Sequence, residues 1–156
     1  MVDIDSIEMC FIDFDDSLAV RVNREPEPDY HDSMVMGDWR FFDRVKRAIG
    51  KGMVEFTKTL HTNKALIFVL TWGNSSLRRK AELEWCNHRL GDDVIEDVIV
   101  TSSKEYKIEV LTQFANAYNM DRNKILLIDD IPDTLDRAYE AGFSVASPQE
   151  IALIYG

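Results

Sequence analysis

Short apolar runs alternate with longer amphipathic stretches along this chain. The runs at residues 7–14, 65–71, 94–100, 124–128 and 143–146 have the length of strands. Most are rich in Val, Ile, Leu or Phe, the composition of strands buried on both faces of a parallel sheet. Helical spacings lie between them. Met53, Phe56, Thr57 and Leu60 form one such set, and Ile108, Leu111, Ala115 and Tyr118 another. Leu77, Ala81 and Trp85 form a further set, with Asn74 or Ser75 as its cap. Ser102 and Glu105 predict a capping box ahead of Ile108. Pro132 fits the first turn of one more helix and Gly142 its end. The alternation predicts an α/β fold: a three-layer, Rossmann-like sandwich around a parallel sheet of about five strands, with right-handed crossovers.

Residues 19–50 break the pattern. Pro26 and Pro28 oppose a helix there, and the segment is longer than an ordinary strand-to-helix loop. Two readings stand: a surface excursion packed by Trp39, Phe41 and Phe42, or a short flap beside the end of the first strand. The basic residues Arg40, Arg44, Lys46, Arg47 and Lys51 read as a solvated helix face with Asp43 as counter-charge. A length of 156 residues fits a single domain, 1–156, with this segment as its one insertion.

Composition narrows the function. Lys plus Arg is 18 and Asp plus Glu is 28, a formal net charge of −10. That field disfavours non-specific binding to nucleic acid or to an anionic membrane, so nucleic acid enters only as a substrate. The longest strongly apolar run, 65–70, is too short to span a bilayer. The acidic N-terminal stretch has no basic region of a secretory signal, so a cytoplasmic location is expected. Cys10 and Cys86 are far apart and imply no disulfide framework. His31, His61 and His88 are scattered and have no ligand spacing, which argues against zinc.

The chemistry concentrates where apolar runs end in carboxylates. One run leads into Asp13-Phe14-Asp15-Asp16-Ser17, another into Asp129-Asp130-Ile131-Pro132-Asp133. In an extended chain Phe11, Asp13 and Asp15 share one side of the first strand. The carboxyl edge of a parallel sheet is where open α/β folds bind ligands. Four carboxylates brought together there repel one another. A hard divalent cation relieves that repulsion, and Mg²⁺, which takes oxygen ligands and commonly shares them with a phosphate, is the expected cofactor.

The order of these motifs resembles the haloacid dehalogenase (HAD) superfamily, in its phosphatase branch. The first motif is Asp13-Phe14-Asp15-Asp16-Ser17, with Ser where the family usually has Thr; the second is the apolar run ending in Thr71. The third is a lysine near the start of a later helix, Lys107 in preference to Lys104, and the fourth is Asp129-Asp130. The position at which some members carry a further Asp is Thr134, so Asp133 and Asp129 compete for a supporting role at the metal. The resemblance implies a phosphomonoester hydrolase acting through an aspartyl-phosphate. It makes Asp13 the nucleophile and Asp15 the general acid and base. It assigns Thr71 and Lys107 to the phosphoryl oxygens, and Asp13, Asp130, the main-chain carbonyl of Asp15 and Asp129 to Mg²⁺.

The short intervals at both cap positions imply a member with little or no cap. Such members take a phosphate on a large molecule, or borrow a lid from a second copy of the chain. A nucleotidase or polynucleotide-end phosphatase is the alternative within this chemistry; Trp39 and Trp72 are candidate base platforms there, although tryptophans at such positions more often serve packing. A non-catalytic phosphate-binding or interaction domain is the alternative outside it. A receiver domain phosphorylated by a partner is disfavoured by the Asp13-x-Asp15 spacing.

Overall fold

The structure is a computed structural model that describes residues 2–22, 39–40, 42, 47–73 and 76–156, with Ser76 and Leu77 described by their backbone. The strands are β1 (Met9–Ile12), β2 (Ala19–Arg21), β3 (Arg47–Ile49), β4 (Leu66–Trp72), β5 (Asp97–Thr101), β6 (Ile125–Ile128) and β7 (Ser144–Ala146). The helices longer than one turn are α1 (Met53–Thr62), α2 (Ser76–Leu90), α3 (Tyr106–Ala117), α4 (Pro132–Glu140) and α5 (Pro148–Tyr155). Five strands form a parallel sheet in the order β5-β4-β1-β6-β7, and β2 pairs antiparallel with β3 in a separate two-stranded ribbon.

Strand alternation divides the core into two layers. Ile12, Ile67, Val69, Leu126 and Ile128 face Met53, Phe56 and Leu60 of α1, Ala81 and Trp85 of α2, and Ile151 of α5. Met9, Phe11, Phe68, Leu70 and Leu127 face Leu111 and Ala115 of α3 and Ala138 of α4. Both faces of the sheet are therefore covered, and every side chain of β1 and β6 is buried. The chain leaves β1 toward β4 and β5 and returns to its other edge with β6 and β7. The strand order thus reverses at β1, and the crevice of such a reversal is where ligands bind in open α/β sheets.

All five predicted sheet strands are present. The segment after β1 is partly strand rather than loop: β2 and β3 bring Ala19 opposite Ile49. Phe42 is fully buried against Phe14 and Trp85, with ring centroids 5.0 and 6.0 Å away, and Trp39 stacks on His88 at 3.9 Å. Phe41, His31, Pro26, Pro28, Asp43, Arg44 and Lys46 lie outside the described residues, as do the predicted caps Asn74 and Ser75. Arg47 departs from the expected solvated helix face. It is a buried residue of β3, because the strand turns it inward toward the end of β1. Gly50 closes the ribbon against that loop: its amide donates to the Leu18 carbonyl at 2.8 Å, and a Cβ there would meet the Ser17 carbonyl at 2.5 Å.

The predicted capping box before α3 does not form. Glu105 already has helical dihedrals and makes no side-chain cap. The preceding turn closes on itself instead, with Thr101 Oγ1 donating to the Ser103 carbonyl at 2.9 Å and the Lys107 amide to the Lys104 carbonyl at 3.1 Å. A capping box does occur at Ser147 and Glu150, starting α5. Among the described residues, no helix is long and apolar enough to cross a membrane.

Candidate active site

β1 and β6 are in register with Ile12 opposite Ile128, so the residues that follow them, Asp13 and Asp129, leave the sheet side by side. The Asp13 amide extends the ladder by donating to the Ile128 carbonyl at 2.9 Å. Lys107, from the first turn of α3, reaches over this edge. Its Nζ donates to Asp13 Oδ1 and to Asp129 Oδ2, each at 2.8 Å. All three groups are buried. The other oxygen of Asp129 accepts from the Ile131 amide at 3.0 Å, which fixes its orientation at the start of α4. Oxygens of Asp13, Asp129 and Asp130 lie within 4.8 Å of one another.

The electrostatics of this cluster follow from burial and crowding. Burial pushes the Asp13 carboxyl well above its ordinary range; Lys107 pulls it down, and Asp129 adds to the rise. Burial also raises Asp130. For Lys107 burial acts downward, but Asp13 and Asp129 together outweigh it and hold the ammonium above its usual value. One cation against three carboxylates leaves excess negative charge, and every carboxylate donor is a hard oxygen. That set fits a small divalent cation such as Mg²⁺.

Asp15 has other partners. The chain turns sharply after Asp13: the Leu18 amide donates to the Asp13 carbonyl at 3.1 Å and the Ala19 amide to the Phe14 carbonyl at 2.8 Å. Asp16 takes φ 62° in this turn, a left-handed conformation that Asp tolerates better than most residues. Strand parity therefore stops at Asp13, and the expectation that Asp15 shares its side fails. The Asp15 carboxylate is held instead from the α2 layer, with Arg78 Nη2 at 2.6 Å and Arg47 Nη2 at 3.4 Å. It is not part of the carboxylate group around Lys107. Ser17 Oγ stands 3.4 Å from Asp13 Oδ2, a long contact.

Thr71 is buried at the end of β4, two residues past Val69, the partner of Ile12, and its carbonyl lies 3.4 Å from Thr101 Oγ1. Lys104 is not brought to the carboxylates; it is exposed, with Nζ 6.0 Å from the Trp72 ring centroid. Asp133 is exposed and paired with Arg137 at 3.0 Å. Of the two competing supporting residues, the fold carries Asp129 to the cluster and turns Asp133 to solvent.

No protein-family model and no curated protein sequence matches the chain. Solved structures do. A haloacid dehalogenase-like family hydrolase from Xanthomonas campestris has a TM-score of 0.58 at 11% identity, over 89% of this chain and 81% of that one. A HAD family enzyme from Bacteroides thetaiotaomicron, in complex with magnesium and inorganic phosphate, has 0.53 at 12%, over 90% and 93%. The 3-deoxy-D-manno-octulosonate 8-phosphate phosphatase from Moraxella catarrhalis, in complex with magnesium, phosphate and its sugar acid, has 0.53 at 17%, over 92% and 68%. The fold is HAD-like. Within the HAD-like frame, sequence reading missed two groups at this edge, Arg47 and Arg78. Arg47 was masked by its place in a basic run, and Arg78 by lying on a helix with a weak apolar face. The signal present was local: Arg78 stands three positions before Ala81, on the helix whose apolar positions include Ala81 and Trp85.

Proposed function

We propose that the chain is a Mg²⁺-dependent phosphomonoester hydrolase that forms an aspartyl-phosphate on Asp13. The observation that carries this reading is Lys107 bridging Asp13 and Asp129, beside Asp130, at the reversal point of a HAD-like sheet. Asp13, Asp129 and Asp130 would hold the cation, which supplies positive charge to the phosphoryl group when bound. Lys107 keeps Asp13 in one orientation. Two of its three N–H donors serve the carboxylates, which leaves one for a phosphoryl oxygen. Thr71 supplies a hydroxyl from the neighbouring strand end. Asp13 attacks phosphorus as the ester P–O bond breaks, and Asp15 gives its proton to the departing oxygen. Asp15 then takes a proton from water, whose oxygen attacks the same phosphorus and releases phosphate and Asp13. In this reading the domain is 1–156, with an open site beside the ribbon of β2 and β3.

The test is hydrolysis of p-nitrophenyl phosphate with Mg²⁺, with acid quenching to trap label from a ³²P-substrate. Wild type should turn over and carry an acyl-phosphate on Asp13. Asp13→Asn should lose at least about a thousandfold in rate and carry no label. Full activity in that variant overturns the mechanism, and phosphate binding without turnover in wild type favours a non-catalytic domain.

A nucleotide or polynucleotide-end substrate is the second reading. It is favoured by Trp72, which directly follows Thr71 and is 49% exposed, with Lys104 against its ring. A tryptophan so open at a strand end offers a stacking face for a base.

A further inference from the structure

We propose that Arg78 is a positioning residue for Asp15, braced by the buried Glu82 and complemented by Arg47. This rests on the phosphatase reading, in which Asp15 moves the protons. The geometry is specific. Arg78 Nη2 donates to Asp15 Oδ2 at 2.6 Å, and Arg47 Nη2 stands 3.4 Å from Oδ1. One guanidinium group thus meets each oxygen, and the contacts come from two separate elements, α2 and β3. The arginine side chains are 12% and 4% exposed, so neither swings freely, whereas Asp15 is 35% exposed and opens to solvent.

Glu82 stands one helical turn behind Arg78. It is fully buried, with Oε1 3.5 Å from Arg78 Nε, and among the described residues neither of its carboxyl oxygens has a hydrogen-bond partner. Burying a carboxylate in that condition is unfavourable, and fold stability gains nothing evident from it. Among the described residues, the cationic group beside it is the guanidinium that meets Asp15. Glu82, Arg78 and Asp15 therefore form a chain running from the core to the open site.

The consequence is directional. A carboxylate has about four acceptor positions, two on each oxygen. Each arginine meets a different oxygen, and in the phosphatase reading the departing oxygen and the water approach this part-exposed carboxyl group from solvent. Proton transfer by a fixed carboxyl group requires this alignment within hydrogen-bond reach. Contacts to both oxygens set the angle at which the carboxyl group meets the departing oxygen.

The experiment compares two esters in single-turnover assays with Mg²⁺. An alkyl phosphate needs a proton on its departing oxygen, and p-nitrophenyl phosphate does not. Arg78→Gln should slow alkyl ester cleavage by about 100-fold, in the range expected for loss of a general acid, and slow p-nitrophenol release by less than about fivefold. Arg78→Lys, which keeps the charge but not the fork geometry, should fall between. It also serves if the glutamine variant fails to fold. Equal losses on the two esters, or none, with an active wild type overturn the positioning role and leave the phosphatase reading intact. A wild type that cleaves neither ester overturns the phosphatase reading and this role with it.

Discussion

Lys107 Nζ and Asp13 Oδ1 are 2.8 Å apart although 94 positions separate them in the chain. The same ammonium reaches Asp129 at the same distance. A single cation thus ties together the ends of β1 and β6, and it is the residue on which both the charge balance and the geometry of the edge depend.

Replacing Lys107 with Ala should therefore act on two measurable quantities. Turnover should fall by about 10²–10³-fold, by analogy with loss of one donor to a developing oxyanion. Stability without metal should fall by about 3 kcal/mol or more, because two buried carboxylates lose their partner. Lys104→Ala removes only an exposed side chain and should change either quantity little. Steady-state kinetics and urea denaturation decide it, and the reverse ranking would refute the site.

Mg²⁺ should stabilise the native protein with the logarithm of its excess over Kd, by about 2.7 kcal/mol at a hundredfold excess. Asp130→Asn should weaken binding by at least about tenfold, since the outer partners of a metal site alone are worth that much. Burial holds the Asp13 and Asp130 carboxyls above their ordinary values, so protons compete with the ion and affinity should fall as pH drops. Calorimetric titration at several pH values reads all three. Metal binding indifferent to both pH and Asp130 would place the ion elsewhere.

Glu82 predicts an unusual pH profile of stability. Burial raises it to about 8, with Arg78 opposing and Asp15 adding to the rise. Between the ordinary glutamate range and about 8, the folded chain retains a proton that the unfolded chain has released. Stability must then fall as pH climbs through that window and level off above it. The ceiling is on the order of 4–5 kcal/mol from the size of the shift. Glu82→Gln should remove this slope, so that the variant gains on wild type between pH 5 and 8 in urea denaturation. Parallel profiles for the two proteins would contradict the assignment.

Trp72→Ala should separate the two substrate readings. If a base stacks there, KM for a nucleoside monophosphate should rise by roughly 5- to 100-fold, the range of one base–aromatic stack. KM for glycerol phosphate should hardly move, and Trp72→Phe should retain most of the preference. Equal effects on both substrates would leave Trp72 without a role in recognition.

Much of the fold was legible because burial imposes a period. β1, β4 and β6 are almost wholly apolar, and Asp13 and Asp129 stand out as the first charges after two such runs. Lys107 was legible only through the resemblance, since an amphipathic helix carries lysines for many reasons. The capping box at Ser102 was a false signal, whereas Ser147 and Glu150 carried a true one that passed unused. Asp15 was placed on the wrong side because strand parity does not survive a tight turn. The pairing of Asp15 with Arg78 spans 63 positions and has no local signature.

The place of β1 in the sheet also orders the birth of the site. β1 ends at Ile12, but its two partners begin at Leu66 and Ile125. On the ribosome the strand that leads into Asp13 is made before both partners and waits for its second edge while the residues between β1 and β6 emerge. Until β6 arrives, Asp129 is missing, Lys107 has one carboxylate instead of two, and an apolar strand edge lies open to other chains. A chaperone that shields nascent chains should therefore raise the yield of active protein most when it acts before β6 is synthesised.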